Sequence, residues 1–248
     1  MKKLLLTATA LLTLWSCNMD FYRSDTMTST MLADNPGAAV YTTDGIYSLF
    51  KDTVPYRGKS TDGCEYVRHY FQMSEFRGDN VCLSGETSDP LCQEIKMSDF
   101  GAQKSNYYMW FIAYKVIYAA NSNIEGMEEG VSAATDQLLG ENYFFRAIGH
   151  LHLVTLFATQ YVQGRDKPGV VLRTSTDCST TTRATVGEVY DQIVADLLKA
   201  AELMKGGTPR GDKGYVSYDA ARGLLTRVYL YMGENDNYYN NLKEFLQT

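Results

Sequence analysis

GENYFFRAIGHLHLVTLFA, residues 140–158, is the stretch of sequence that decides the fold. It belongs to a predicted helix over 135–158 that is apolar around much of its circumference, and such a helix is typical of a buried core element. Ala147 and Gly149 carry little or no side chain, which allows a neighbouring helix to approach closely. The stretch therefore predicts a mainly α protein in which this helix is deeply buried. One face is predicted to contain Phe144, Ile148, Leu151 and Thr155.

Three further helices are predicted around this segment, over 105–128, 185–205 and 217–232, because apolar residues recur in them at spacings of three and four. Short loops join 105–128 to 135–158 and 185–205 to 217–232, as in stacked αα repeats. The two pairs depart from the regular repeat of about 34 residues. We therefore expect a mainly α fold, a degenerate tetratricopeptide-like αα-repeat scaffold with a long irregular insertion.

Signals for helix ends support these boundaries. Thr185 precedes Glu188 by three residues, the spacing of a capping box, in which the two residues cap each other's backbone N–H groups. Gly233 follows the helix over 217–232 and is typical of a helix C-terminus. A first helix is predicted over 37–51, and another begins after Gly233.

The aromatic residues of the helix over 105–128 are interpreted as core residues, because they fall at helical spacing. Asn121, Asn123 and Arg146 are interpreted as structural hydrogen-bonding groups between helices, since polar groups on an inner face need partners. The predicted core residues are Tyr107, Trp110, Tyr114 and Tyr118.

Residues 51–101 form the predicted irregular insertion, because glycines, prolines and Asp-Asn steps break every helical period. Within it, HYFQMSEFRGDN (69–80) places aromatic rings beside polar groups, the pairing that binds sugars through ring stacking and hydrogen bonds. Loops on a rigid scaffold are where recognition concentrates. A solvated turn remains the alternative interpretation. The predicted ligand-binding residues are Tyr70, Phe71, Arg77, Asp79 and Asn80.

The N-terminal sequence is typical of an export signal. Lys2 and Lys3 precede an apolar run over 4–15, which is shorter than the roughly 20 residues that span a bilayer. The following Leu-Trp-Ser-Cys looks like a bacterial lipobox, which predicts Cys17 as the lipid attachment site; an ordinary secreted protein with an incidental cysteine is the alternative. The predicted divisions are a signal peptide over 1–16, a lipid-proximal spacer over 17–36 and a helical domain over 37–248.

Charge and cysteine content narrow the function classes. The formal net charge of −6 and the absence of a Lys/Arg stripe argue against nucleic acid as a partner. Export implies an oxidising compartment, in which one or two disulfides can form, but nothing in the sequence fixes their pairing. The cysteines besides the predicted lipid site are Cys64, Cys82, Cys92 and Cys178.

Catalysis finds no positive evidence in the sequence. His150 and His152 lie about 200° apart on a helix of about 3.6 residues per turn and cannot chelate one metal, so both are expected to be structural or on the surface. No H-E-x-x-H, G-x-S-x-G or P-loop pattern occurs. We therefore expect no catalytic residues and no metal site.

Four stretches of the sequence, taken in order, carry a family likeness. They are the lipobox at Cys17, AANSNIEGME (119–128), GENYFFRAIGHLHLVTLFA (140–158), and TVGEVYDQIVADLLKAAELM (185–204) followed by KGYVSYDAARGLLTRVYLYMG (213–233). Together they resemble the SusD/RagB-like outer-membrane glycan-binding lipoproteins of Bacteroidetes. Ala158 stands where that family often has glycine, so the loop that follows is individual to this chain.

The resemblance implies a surface-exposed lipoprotein of the outer membrane that faces the cell exterior. Such a protein binds oligosaccharides or related nutrients and delivers them to a TonB-dependent SusC-like transporter, without a cofactor. Because family members are longer, residues 37–248 are expected to be their N-terminal helical-repeat domain, incomplete at the C-terminus. Two alternatives stay open: a lipid-anchored repeat scaffold that binds a protein, and a surface enzyme that cleaves glycans.

Overall fold

The computed structural model describes residues 37–57, 64–75, 78–82, 85, 104–205, 207 and 210–246. Within these ranges the chain forms eight helices and no strand, which confirms the mainly α fold class. The predicted signal peptide, Cys17, the spacer, Arg77 and Cys92 lie outside the described residues. The helices are α1 (Ala38–Lys51), α2 (Tyr66–Glu75), α3 (Lys104–Gly126), α4 (Ala133–Phe157), α5 (Tyr161–Gly164), α6 (Val186–Lys205), α7 (Tyr218–Met232) and α8 (Asn235–Leu246).

Helix α4 packs between α3 and α6, and its deep burial is confirmed. Two glycines make this close packing possible. A Cβ on Gly149 would lie 2.7 Å from Cγ1 of Ile117 on α3, and one on Gly140 would lie 2.5 Å from Cγ of Met204 on α6. Of the predicted face, Leu151 is buried, Phe144 and Ile148 are half-buried, and Thr155 is exposed.

The helix ends carry the predicted caps. The backbone N–H of Thr185 donates to Oε2 of Glu188 at 2.8 Å, and the N–H of Glu188 donates to Oγ1 of Thr185 at 3.2 Å, so the capping box is confirmed. Gly233 ends α7 at φ 73°, in the left-handed region that favours glycine. The expected core faces of α6 and α7 are buried; they contain Val189, Ile193, Leu197, Ala200, Met204, Ala221, Leu224, Leu225, Val228 and Met232.

The predicted core face of α3 is partly wrong. Tyr107 and Tyr118 are each 51% exposed, while Trp110 and Tyr114 are half-buried at the edge of the core. Because α3 has apolar residues on more than one face, spacing alone fits more than one orientation, and packing against α4 selects another. The buried residues of α3 are Tyr108, Met109, Ile112, Ala113, Val116, Ile117 and Ala120, with Asn121 and Asn123.

The insertion over 51–101 is not irregular throughout, because it contains α2. Tyr66, His69 and Met73 are buried on one side of this helix, at spacings of three and four that flanking glycines and polar steps had obscured. Tyr70 and Phe71 therefore lie on a helix and not in a loop. Their positions are set by the packing of α2 against α3 and α1.

The cysteines leave the disulfide question open. Cys64 is buried in the core, whereas Cys82 and Cys178 are exposed. Since Cys92 lies outside the described residues, the expectation of one or two disulfides stays untested.

Candidate ligand-binding site

A non-helical segment over 171–178, which we call the strap, lies against α3 and is held there through its backbone. The hydroxyl of Tyr114 donates to the carbonyl of Val171 at 2.8 Å, and Nδ2 of Asn121 donates to the carbonyl of Ser175 at 2.8 Å. Burial raises the pKa of Tyr114 to about 12, so its hydroxyl stays protonated and available as a donor. Two side chains of α3 thus hold the strap at Val171 and at Ser175.

Helix α4 holds the middle of the strap. Nη1 of Arg146 donates to the carbonyl of Thr174 at 3.0 Å, and the N–H of Arg173 donates to Nε2 of His150 at 3.2 Å. Nδ1 of His150 lies 3.0 Å from the carbonyl of Arg146, which places the ring proton on Nδ1 and leaves Nε2 as an acceptor. Burial lowers the pKa of His150 to about 4, so the ring is neutral at pH 7. The structural placement expected for His150 is confirmed.

A buried ion pair fixes Arg146 in turn. Its Nε and Nη2 donate to the two carboxylate oxygens of Asp196 on α6, at 2.9 and 2.7 Å, and its Nη1 also donates to Oδ1 of Asn121 at 3.0 Å. Asn123 pairs in the same way with Asn142 of α4, at 2.9 Å. These contacts confirm the structural interpretation of Arg146, Asn121 and Asn123: they join three helices and the strap.

Between the strap and α3 lies a cavity of about 500 Å³, which we call the α3 groove. Trp110, Tyr114 and Tyr118 occupy successive turns of α3 and form its aromatic floor, and Arg173 and Ser175 line its strap side. The Trp110 and Tyr114 ring centroids are 5.1 Å apart. An aromatic floor beside a rigidly held polar wall is an arrangement that suits a ligand with both flat apolar faces and hydrogen-bonding groups.

Tyr70 lines a second cavity of about 340 Å³, which we call the tyrosine cavity, together with Tyr161, Tyr190 and Tyr231. The ring of Tyr70 stacks on that of His152 at a centroid distance of 3.6 Å. Nδ1 of His152 lies 2.8 Å from the hydroxyl of Tyr66 on α2. His152 is therefore structural, as expected.

The predicted site residues do not converge on one cavity. Phe71 is 60% exposed, and Asp79 and Asn80 are exposed beyond the end of α2; Arg77 lies outside the described residues. Of the residues predicted to bind ligand, Tyr70 lines the tyrosine cavity, and none lines the α3 groove.

The residues of the α3 groove were missed as ligand-binding candidates because they were assigned to the core. The available signal was the aromatic content of α3, which is too high for one buried stripe: Tyr107, Tyr108, Trp110, Phe111, Tyr114 and Tyr118 point in several directions around the helix. A helix of this kind presents some of its rings away from the core.

The chain matches one model of a known protein family. A family model, SusD-like_3, described as "Starch-binding associating with outer membrane", matches residues 64–230. No curated protein matches the chain. None of the described helices has the length and apolar character needed to cross a membrane.

Solved structures share the fold. A SusD-like carbohydrate binding protein from Bacteroides vulgatus is 21% identical with a TM-score of 0.73, and the match covers 85% of this chain and 44% of that one. A SusD superfamily protein from Bacteroides fragilis is 25% identical with a TM-score of 0.70, covering 85% and 49%. One from Bacteroides thetaiotaomicron is 24% identical with a TM-score of 0.67, covering 85% and 46%. The chain thus spans less than half the length of each.

Proposed function

The chain belongs to the SusD-like family of starch-binding proteins that associate with the outer membrane, and from this premise we propose that it binds oligosaccharides or related nutrients. We propose that it does so as a surface-exposed lipoprotein attached through Cys17 and facing the cell exterior. In this proposal a TonB-dependent SusC-like transporter receives the bound ligand. The protein captures the ligand and does not cleave it.

The observation that carries the proposal is the aromatic floor of the α3 groove. Sugar rings present C–H faces that stack on aromatic side chains, and their hydroxyls pair with polar groups at the rim. Trp110 and Tyr118 supply such rings, and Arg173 and Ser175 supply donors and acceptors. The cavity of about 500 Å³ is large enough for a small oligosaccharide segment.

Rigidity of the groove supports the same function. The strap is held by Tyr114, Asn121, Arg146 and His150 before any ligand arrives. A wall fixed in advance loses little conformational entropy when a ligand binds, which favours affinity.

The tyrosine cavity is proposed as a further contact region. Tyr70 lines it, and Phe71 lies on the neighbouring face of α2 with an exposed ring. Asp79 and Asn80 follow shortly after α2 and offer polar groups on the surface. We retain these residues, with Arg77, as candidate ligand contacts that are independent of the α3 groove.

Affinity gel electrophoresis of the full-length protein tests the proposal. Native gels containing amylopectin, dextran or pectin are expected to retard the wild type. Tyr118→Ala should weaken binding by roughly 2-fold to 13-fold, the equivalent of about 0.5–1.5 kcal/mol for one aromatic stacking contact. Tyr107→Ala is the matched control, because Tyr107 is on the same helix and equally exposed but does not line the groove.

The other outcomes discriminate between the alternatives. Tyr70→Ala reports separately on the tyrosine cavity. If no polysaccharide retards the wild type, carbohydrate binding is wrong, and a scaffold that binds a protein is favoured. Release of sugar products from a bound polysaccharide would instead indicate an enzyme. Cys17→Ala is expected to move the protein from the membrane fraction to the soluble fraction if the lipid anchor is right.

A further inference from the structure

We propose that the α3 groove selects anionic glycans, whose sugar rings carry carboxylate or sulfate groups. The inference rests on the carbohydrate-binding function proposed above and narrows the ligand class of that same site. It comes from the charges that line the groove and from what the neighbouring carboxylates are bound to.

Both charged residues that line the groove are cations. Lys115 stands on α3, with its Nζ 5.8 Å from the ring centroid of Phe111, and Arg173 stands on the strap. No Asp or Glu lines the groove in the described part of the chain. Because the chain as a whole carries a formal net charge of −6, this positive lining runs against the general charge of the protein. A groove with one sign of charge concentrates ligands of the opposite sign.

The two carboxylates nearest in sequence to the groove are engaged by the protein itself. Glu125 accepts from the N–H and the hydroxyl of Thr176, at 2.8 and 2.6 Å. Asp177 accepts from the N–H and the hydroxyl of Ser179, both at 2.8 Å, and these hydrogen bonds lower its pKa. Neither carboxylate forms an ion pair with Lys115 or Arg173 among the described residues. The positive charge of Arg173 also lowers the pKa of Asp177, so this carboxylate offsets part of the positive potential at the strap. Lys115 and Arg173 still keep N–H donors that no carboxylate in the described part of the chain occupies.

Arg173 is held in a way that suits recognition of an anion. Its N–H is fixed by His150 and its carbonyl accepts from Asn121 at 3.2 Å, so the backbone at this residue is anchored on both sides. Nη1 of its guanidinium donates to the carbonyl of Asp177 at 3.1 Å, which orients the planar group. A guanidinium has five N–H donors and matches carboxylate and sulfate oxygens in pairs.

The aromatic floor and the cations together match an acidic sugar. A uronate or sulfated ring has an apolar C–H face, which would lie on Trp110 or Tyr118, and an anionic substituent at its edge, which would meet Arg173 or Lys115. A neutral glycan uses the floor alone. The expected preference is therefore for the charged member of any pair of polysaccharides that differ only in charge.

Such pairs provide the test. The full-length protein is compared on native gels containing polygalacturonate or its methyl ester, and dextran sulfate or dextran. The first pair tests carboxylate and the second tests sulfate, so the two sources of charge are distinguished. The wild type is expected to bind at least one charged member about tenfold or more tightly than its neutral partner, since a hydrogen bond to a charged group is worth about 1.5–3 kcal/mol. Rising salt should weaken this binding.

Variants that remove cations inside or outside the groove distinguish recognition by the groove from attraction to the overall charge of the protein. Lys115→Gln/Arg173→Gln is expected to abolish the preference, and Lys115→Gln alone to reduce it without disturbing the strap. Arg165→Gln/Lys205→Gln removes the same charge from exposed side chains outside the groove and is expected to keep the preference. Arg173→Lys, which retains the charge but lacks the planar fork, should keep part of it.

Each result has a defined meaning. Equal binding of charged and neutral members, or binding of neutral members alone, overturns the anionic preference and leaves the carbohydrate-binding function standing. Loss of the preference in the control double variant also overturns it, because general charge would then explain the binding. If no polysaccharide of either kind binds, the proposed function itself fails, and the inference with it.

Discussion

The buried pair between Arg146 and Asp196 leads to a quantitative prediction of stability. Their side chains are 7% and 3% exposed, so water cannot replace either partner when the other is removed. We expect Arg146→Met to lower the free energy of unfolding by about 3–5 kcal/mol, the usual cost of leaving one member of a buried ion pair uncompensated. Methionine keeps much of the apolar length of arginine, so the change removes charge and hydrogen bonds more than volume.

Two further contacts add to that loss. Nη1 of Arg146 donates to the carbonyl of Thr174 and to Oδ1 of Asn121, and both acceptors lose this donor in the variant. The strap is expected to loosen as a result, so glycan binding at the α3 groove should weaken along with stability. If Arg146→Met lowers stability but leaves glycan binding unchanged, the position of the strap does not determine binding at the groove.

A double-mutant cycle separates the cost of the unpaired buried charge from the cost of the lost contact with the strap. Arg146→Met/Asp196→Leu removes both charges, and replacing a buried pair by apolar residues is often close to neutral. We expect the double variant to recover most of the loss but to remain about 1–3 kcal/mol below the wild type, because the strap carbonyl stays without its donor. The two single changes should therefore be strongly non-additive.

Urea unfolding followed by far-ultraviolet circular dichroism measures these energies. With a slope of roughly 2.5 kcal/mol per molar urea, a loss of about 4 kcal/mol lowers the midpoint by about 1.6 M. Arg165→Met is the matched control, since Arg165 and Asp191 form an exposed pair at 3.8 Å and such pairs contribute about 0–1 kcal/mol. A loss below about 1 kcal/mol for Arg146→Met would refute the argument from burial.

Two other predictions follow from the helix cap and the buried histidine. Thr185→Ala is expected to lower the free energy of unfolding by about 1 kcal/mol, because the capping box loses a hydroxyl that both accepts and donates; an unchanged urea midpoint would contradict it. His150 has a folded pKa of about 4 against an ordinary value of 6.5, so the unfolded chain binds more protons between these values and the stability contribution of this histidine falls as pH is lowered through that window. The stability advantage of the wild type over His150→Gln should shrink by about 1.4 kcal/mol per pH unit there, measured by urea unfolding at several pH values, and a constant difference would refute it.

Most of the fold could be predicted from sequence because several local signals agree. The helix over 185–205 has a capping box at its start and one clear apolar stripe, and the observed α6 begins at Val186 and ends at Lys205. The helix over 217–232 ends at a glycine in the left-handed region, as expected. Where the helix cap, the spacing of apolar residues and a terminating glycine all indicate the same boundary, local sequence fixes the helix and tertiary packing changes it little.

The candidate site could not be predicted in the same way. In α3, apolar residues surround the helix, so the period alone does not tell which rings face α4 and which face outward; tertiary packing decides. In the insertion, the stripe formed by Tyr66, His69 and Met73 is short and flanked by irregular sequence, so α2 was hidden. The α3 groove also depends on the strap, which is far from α3 along the chain.

The strap is held mainly through hydrogen bonds to its peptide groups, and this affects which substitutions its sequence can tolerate. Four supporting side chains on α3 and α4 contact the main chain of residues 171–175, and a main chain is the same whichever amino acids it carries. Side chains along this segment can therefore be exchanged while its course is preserved. The groove can thus acquire a new preference through substitutions at a few interchangeable positions, with the helical scaffold left intact.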